Sequence, residues 1–87
     1  MTYEDAKKTI ALGRYRHFKG KEYEVLAIAR HSETKEPMVV YKALYNDETY
    51  GDEAIWLRPA AMWNDEVERD GKNFRRFEQL AKNLMES

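Results

Sequence analysis

Cysteine is absent from the 87 residues. That excludes disulfides, thiolate nucleophiles and thiolate metal sites, and it fits a reducing cytoplasm. Histidine is scarce, with only 2 imidazoles (His17 and His31) where a metal centre needs three or four ligands, so no metal site and no cofactor are expected. Glycine is equally sparse, and none of the 4 falls in a phosphate-cradling loop pattern. No apolar run approaches the roughly 20 residues that span a bilayer, so no membrane role is expected. The opening stretch "MTYEDAKKTIALG" is polar and acidic; it lacks the apolar centre of a secretory signal, and the expected location is cytoplasmic. Neither sign of charge dominates: 15 basic against 16 acidic residues leave a net charge of −1. Wholesale coating of nucleic acid is therefore excluded, because that affinity comes from an excess of Lys and Arg, while a local basic patch is not.

What is present describes a single small globular domain. Hydrophobic residues make up 43% and aromatics 13%, far from a disordered composition. The length suits one compact core of modest stability.

Thr2, with Asp5 three residues on, predicts a capped helix over residues 1–12. Tyr3, Ala6 and Ile10 share a face, and Gly13 is placed as its left-handed stop. A three-residue loop at Phe18–Gly20 predicts a hairpin in which Arg16 faces Glu22, Tyr15 faces Tyr23 and Arg14 faces Glu24. Its opposite-charge and aromatic pairs favour that register over a two-residue loop. A second hairpin turns at "HSETKE" and pairs Arg30 with Met38, Ala27 with Tyr41 and Tyr23 with Tyr45. That register leaves Leu26, Ile28, Val40 and Leu44 as an apolar strip in need of cover. "AIWLRP" reads as a fourth strand ended by Pro59, and "PAAMW" as a helical turn. Asp70-Gly71 is a type I′ signal that pairs Val67 with Phe74 and Glu66 with Arg75. Phe77, Leu80, Ala81 and Leu84 have helical spacing.

The expected fold is mainly β: a small SH3-like antiparallel barrel over 13–76, flanked by short helices over 1–12 and 77–87. An open antiparallel sheet with helices on one face is the alternative.

The long ordered stretch "GRYRHFKGKEYEVLAIARHSETKEPMVVYKALY", followed by "WLRP", "MW" and Phe77, resembles the bacterial domain of unknown function 1653. The resemblance covers roughly residues 13 to 78. It implies a compact, mostly β domain and carries over no catalytic residue. The tail "QLAKNLMES" departs from the family pattern.

Chemistry is sparse in the residues themselves. His31 and Ser32 are neighbours on an extended chain, which points them to opposite faces, so they form no nucleophile–base pair. Ser32 and Thr34 suit a turn that bonds its own backbone. Trp56 and Arg58 are the stronger constellation. With Ile55 and Leu57 facing the core, this aromatic and guanidinium face outward together as a binding hot spot. Arg30, His31 and His17 complete the candidate binding set. The expectation is a non-enzymatic module that recognises a protein segment or a small anionic ligand. The rivals are a single-stranded nucleic-acid binder using "RYRHFKGK" and Trp56, an enzyme or accessory domain with a site at a His17/His31 rim, and self-association through the Leu26–Leu44 strip.

Overall fold

Thr2 opens the one α-helix among the described residues by accepting from the Asp5 amide, while the Thr2 amide donates back to the Asp5 carboxylate. This capping box satisfies two of the free amides at the start of α1, Tyr3–Thr9. The computed structural model describes residues 1–80. Helix α1 ends at Ile10 in an extended conformation, so Gly13 is not its left-handed stop; Gly13 instead opens strand β1, Gly13–His17.

Strand β1 pairs with β2, Glu22–Arg30, in the expected register of Arg16 with Glu22, Tyr15 with Tyr23 and Arg14 with Glu24. Gly20 adopts φ 105° in the connecting turn, as a three-residue loop requires. Strand β3, Pro37–Ala43, then departs from expectation. Tyr23 pairs with Ala43 rather than Tyr45, and Val25 with Tyr41, two residues from the expected register. A bulge between Val25 and Ala27 then shifts it by one, so Ala27 faces Val40, Ile28 faces Val39 and Arg30 faces Pro37 rather than Met38. One extra residue exchanges the two faces of a strand beyond it. Ile28 therefore packs on the core, whereas Leu26 remains 37% exposed, and the strip Leu26, Ile28, Val40, Leu44 is broken.

A short ribbon follows, β4 (Asn46–Asp47) and β5 (Gly51–Asp52), turned by Asp47 accepting the Thr49 and Tyr50 amides. Strand β6, Ile55–Pro59, pairs with β3, and Pro59 leads into a 3-10 turn over Ala60–Met62. Strands β7 (Glu66–Arg69) and β8 (Lys72–Arg75) form the expected hairpin, with Val67 opposite Phe74 and Glu66 opposite Arg75. Asp70 and Gly71 both have positive φ, as a type I′ turn demands.

The helix expected over 77–87 is not what its first residues form. Phe77–Gln79 make strand β9, antiparallel to β1. The remainder of that expectation, at 81–87, lies outside the described residues. Nor are the sheets closed into a barrel. One open sheet runs β6-β3-β2-β1-β9, with two separate two-stranded ribbons, so the architecture is mainly β without the closure of an SH3-like barrel.

The core lies on one face of that sheet. Tyr15, Val25, Val39 and Phe77 supply it from the strands, Ala60 and Trp63 from the 3-10 turn, and Ala6 and Ile10 from α1. Trp63 is fully buried, edge-on to Tyr15 and Tyr41 at 5.4 and 5.1 Å. Tyr23 and Tyr41 border this cluster, half-buried. Burial pushes the Tyr15, Tyr23 and Tyr41 hydroxyls above their ordinary range. For Tyr23, the 2.8 Å bond to the Tyr45 hydroxyl adds to that rise. No helix among the described residues is long and apolar enough to cross a membrane.

Candidate functional site

Trp56 and Arg58 share a face, as strand alternation requires, but it is the inner one. The register sets Trp56 beside Tyr41 and Arg58 beside Val39, both on the core side, and leaves Ile55 and Leu57 outside at 62% and 61% exposure. Trp56 is half-buried, with the Tyr50 ring edge-on at 4.8 Å. Arg58 is occupied with structure: Nε donates to the Met62 carbonyl at 3.2 Å, and a terminal nitrogen lies 3.8 Å from Asp65. An outward, unengaged Trp–Arg pair is therefore not formed.

Arg30 is likewise engaged. Its guanidinium covers the Tyr3 ring at 3.8 Å and approaches Glu4 at 3.6 Å, fastening α1 to β2. His31 works inside its turn, where Nδ1 accepts the Glu33 and Thr34 amides. Thr34 Oγ1 accepts the Glu36 amide in the same turn. His17 stands at the opposite end of β2, since its amide donates to the Lys21 carbonyl. The nine residues of β2 separate the two histidines by roughly 30 Å at the usual strand rise, so there is no common rim. Among the described residues, no three His, Cys, Asp or Glu side chains converge as metal ligands.

A cleft of about 390 Å³ opens where the end of β1 meets the β7–β8 hairpin. Arg16, His17 and Phe18 line one wall; Asn73, Phe74 and Arg75 line the other, with Glu78 of β9 between them. One main-chain bond joins the walls, from the Phe18 amide to the Arg76 carbonyl at 3.0 Å, while the Arg76 amide donates to the Asp65 carbonyl at 2.8 Å and closes the base of the hairpin. Pairing of His17 with Phe77 fixes the base.

The chemistry of this cleft is cationic and aromatic. Phe18 is half-buried, Phe74 is 42% exposed and Arg75 is exposed. Lys19 lies 5.8 Å from the Phe18 ring centre. His17 packs against Phe18 and Phe77 at 4.6 and 5.1 Å. Burial lowers its pKa first, and the charges of Arg76, Lys19 and Arg58 lower it further, so this imidazole is neutral near pH 7. Its Nδ1 accepts the Lys19 amide at 3.2 Å, which leaves the ring hydrogen on Nε2 as a donor. Arg76, Lys19 and Arg58 thus stand near His17 in a chain whose net charge is −1. Arg16 is balanced by Glu22 at 3.4 Å. Glu24 approaches Lys42 at 3.9 Å rather than neutralising Arg14 as its cross-strand position implies. Arg76 Nε is buried with no acceptor among the described residues.

Of the five residues read as candidates, only His17 belongs to this cleft. The sequence signal was the alternation of basic and aromatic residues, which occurs twice, in "RYRHFKGK" and in "KNFRR".

The comparisons with known proteins follow the fold. No curated protein matches the chain. A crystal structure of a DUF1653 protein from Bordetella bronchiseptica is similar at 33% identity, covering 84% of this chain and 90% of that one, with a TM-score of 0.75. The model of the family described as "Protein of unknown function (DUF1653)" matches residues 13–79. That span runs from β1 through β9 and includes every residue of the cleft, and the chain belongs to the DUF1653 family.

Proposed function

We propose that this domain is a non-enzymatic binding module of the cytoplasm, and that its cleft receives an anionic group carried by a protein segment or a small ligand. The observation that carries this reading is the convergence in one cleft of His17, two accessible aromatic rings and the exposed Arg75. An arginine fork matches a carboxylate or phosphate in two parallel hydrogen bonds, and Phe18 and Phe74 supply apolar contact on either side. The neutral His17 adds a donor through Nε2. No pair of groups in the cleft is arranged as nucleophile and base, which favours recognition over catalysis. We also retain an SH3-like relationship as part of the proposal, resting on the short antiparallel strands and the 3-10 turn between β6 and β7.

Amide shifts in the full chain test this on titration with short peptides bearing a free C-terminal carboxylate, with their amidated forms as controls. Shifts are expected at Arg16, Phe18, Asn73 and Phe74 for the carboxylate forms alone. Arg75→Ala is expected to weaken binding at least about tenfold without lowering the melting temperature, since Arg75 is exposed. No response in the cleft, or an equal response to the amides, would overturn the reading. A single-stranded oligonucleotide supplies the rival test: Phe18 and Phe74 offer stacking platforms, and that affinity should fall steeply with salt.

A further inference from the structure

Strand β6 is an edge of the five-stranded sheet. The Ala43 amide donates to the Ala54 carbonyl at 2.8 Å, and the register continues with Tyr41 opposite Trp56 and Val39 opposite Arg58. Hydrogen-bonded pairs recur at every second residue of an antiparallel ladder. The amides and carbonyls of Trp56 and Arg58 thus point at β3, and those of Ile55 and Leu57 point out of the sheet. No strand among the described residues meets them. The free edge is bounded on one side by Pro59, which has no amide hydrogen, and on the other by Glu53, whose φ of 54° turns the chain away.

The same two residues carry the largest exposed aliphatic side chains of the sheet, at 62% and 61%. Both lie on its outer face, Leu57 beside Val40 and Ile55 beside Lys42. An edge that is unpaired and apolar is a site for strand addition.

We infer that β6 pairs antiparallel with β6 of a second copy of this chain, about a two-fold axis through Trp56. Ile55 then lies opposite Leu57 of the other copy, twice over. Every outward amide and carbonyl of Ile55 and Leu57 is bonded, and neither Pro59 nitrogen falls within the ladder. A register centred on Leu57 instead leaves both Ile55 carbonyls without a partner, because they face proline. The two-fold also gathers four aliphatic side chains on the outer face and sets Trp56 against Trp56 on the inner one. No like charges stand opposite each other: the facing pairs are Ile55 with Leu57, Trp56 with Trp56 and Ala54 with Arg58. Such self-complementarity favours a second copy over a foreign strand. With so short a ladder the contact falls below the size of a stable interface, so the dimer is weak, with a dissociation constant of roughly 0.1–1 mM.

Sedimentation equilibrium of the full chain across that concentration range tests the inference. The mass should rise from monomer to dimer and stop there. Over the same series the amide signals of Ile55 and Leu57 should move, while those of Trp56 and Arg58, bonded to β3, stay nearly fixed. Leu57→Lys places a charge on an exposed position and should raise the dissociation constant at least about tenfold with the fold intact; Ile55→Lys should do the same. A chain that stays monomeric at the highest concentration would overturn the inference. So would open-ended oligomers, or a dimer that both variants leave unchanged.

Discussion

Trp63 and Phe77 stack face to face, with ring centroids 4.1 Å apart and planes within 3° of parallel. One ring follows the 3-10 turn and the other opens the last strand, so their contact joins two segments distant in sequence. Both are buried. Phe77→Ala and Trp63→Ala should each cost about 3–5 kcal/mol, a large share of the stability available to so small a domain. Urea titration of the two variants and their double mutant should show strong coupling, because the rings share one contact. Independent, additive losses would show that the stack carries no energy of its own.

Stability should also depend on pH through His17. Its folded pKa lies below the ordinary 6.5, so the folded state binds fewer protons than the unfolded one. The contribution is complete above 6.5 and is lost as pH falls from there through the lowered folded value. The raised hydroxyls of Tyr15, Tyr23 and Tyr41 act at the other limit: stability is complete below pH 10 and declines as pH rises through the folded values. Denaturation midpoints at a series of pH values should trace both slopes. His17→Gln should flatten the acid side alone.

Two glycine turns give a graded test of backbone strain. Neither Gly20 (φ 105°) nor Gly71 (φ 77°) has an atom within 4 Å of an added Cβ, so alanine meets no clash at either position. The cost is conformational, and it grows with distance from the left-handed well near 57°. Gly71→Ala should lose about 1 kcal/mol and Gly20→Ala more, as read by thermal melts. The reverse order would contradict the hairpin geometry.

The two faces of β6 predict opposite outcomes. Arg58→Ala removes a bond to the Met62 carbonyl and the approach to Asp65, at a cost of about 1–2 kcal/mol. Ile55→Ala, on the exposed face, should change stability by less than about 0.5 kcal/mol. Chemical denaturation of both variants checks which face is inside.

Local chemistry was legible in the sequence wherever a turn and its flanking pairs agreed. Arg16–Glu22 and Val67–Phe74 were both read correctly, because Gly20 and Asp70-Gly71 fix the loop and cross-strand pairs confirm it. The bulge near Leu26 was not legible. Pairing rules assume one residue opposite one, and a single insertion turned Ile28 inward. For β6 the error lay in choosing the face: two exposed aliphatics looked like the core, while the residues aligned with Tyr41 and Val39 were Trp56 and Arg58. Phe77 fell on a helical period, yet pairing with β1 and stacking on Trp63 override that local preference. The cleft was hidden for a simpler reason. Its walls are more than fifty positions apart, and they meet only because β9 returns to β1.

That return governs when the domain can fold during synthesis. Strand β1 finds β2 next in the chain, but its second neighbour, β9, comes only at Phe77–Gln79. Until β9 is in place, the β1–β2–β3 meander lacks Phe77, the ring that stacks on Trp63. Long-range pairing of this kind is slow and leaves sticky surface open to solvent. A chain cut before Phe77 should therefore hold no completed core, and its exposed apolar surface should show as aggregation.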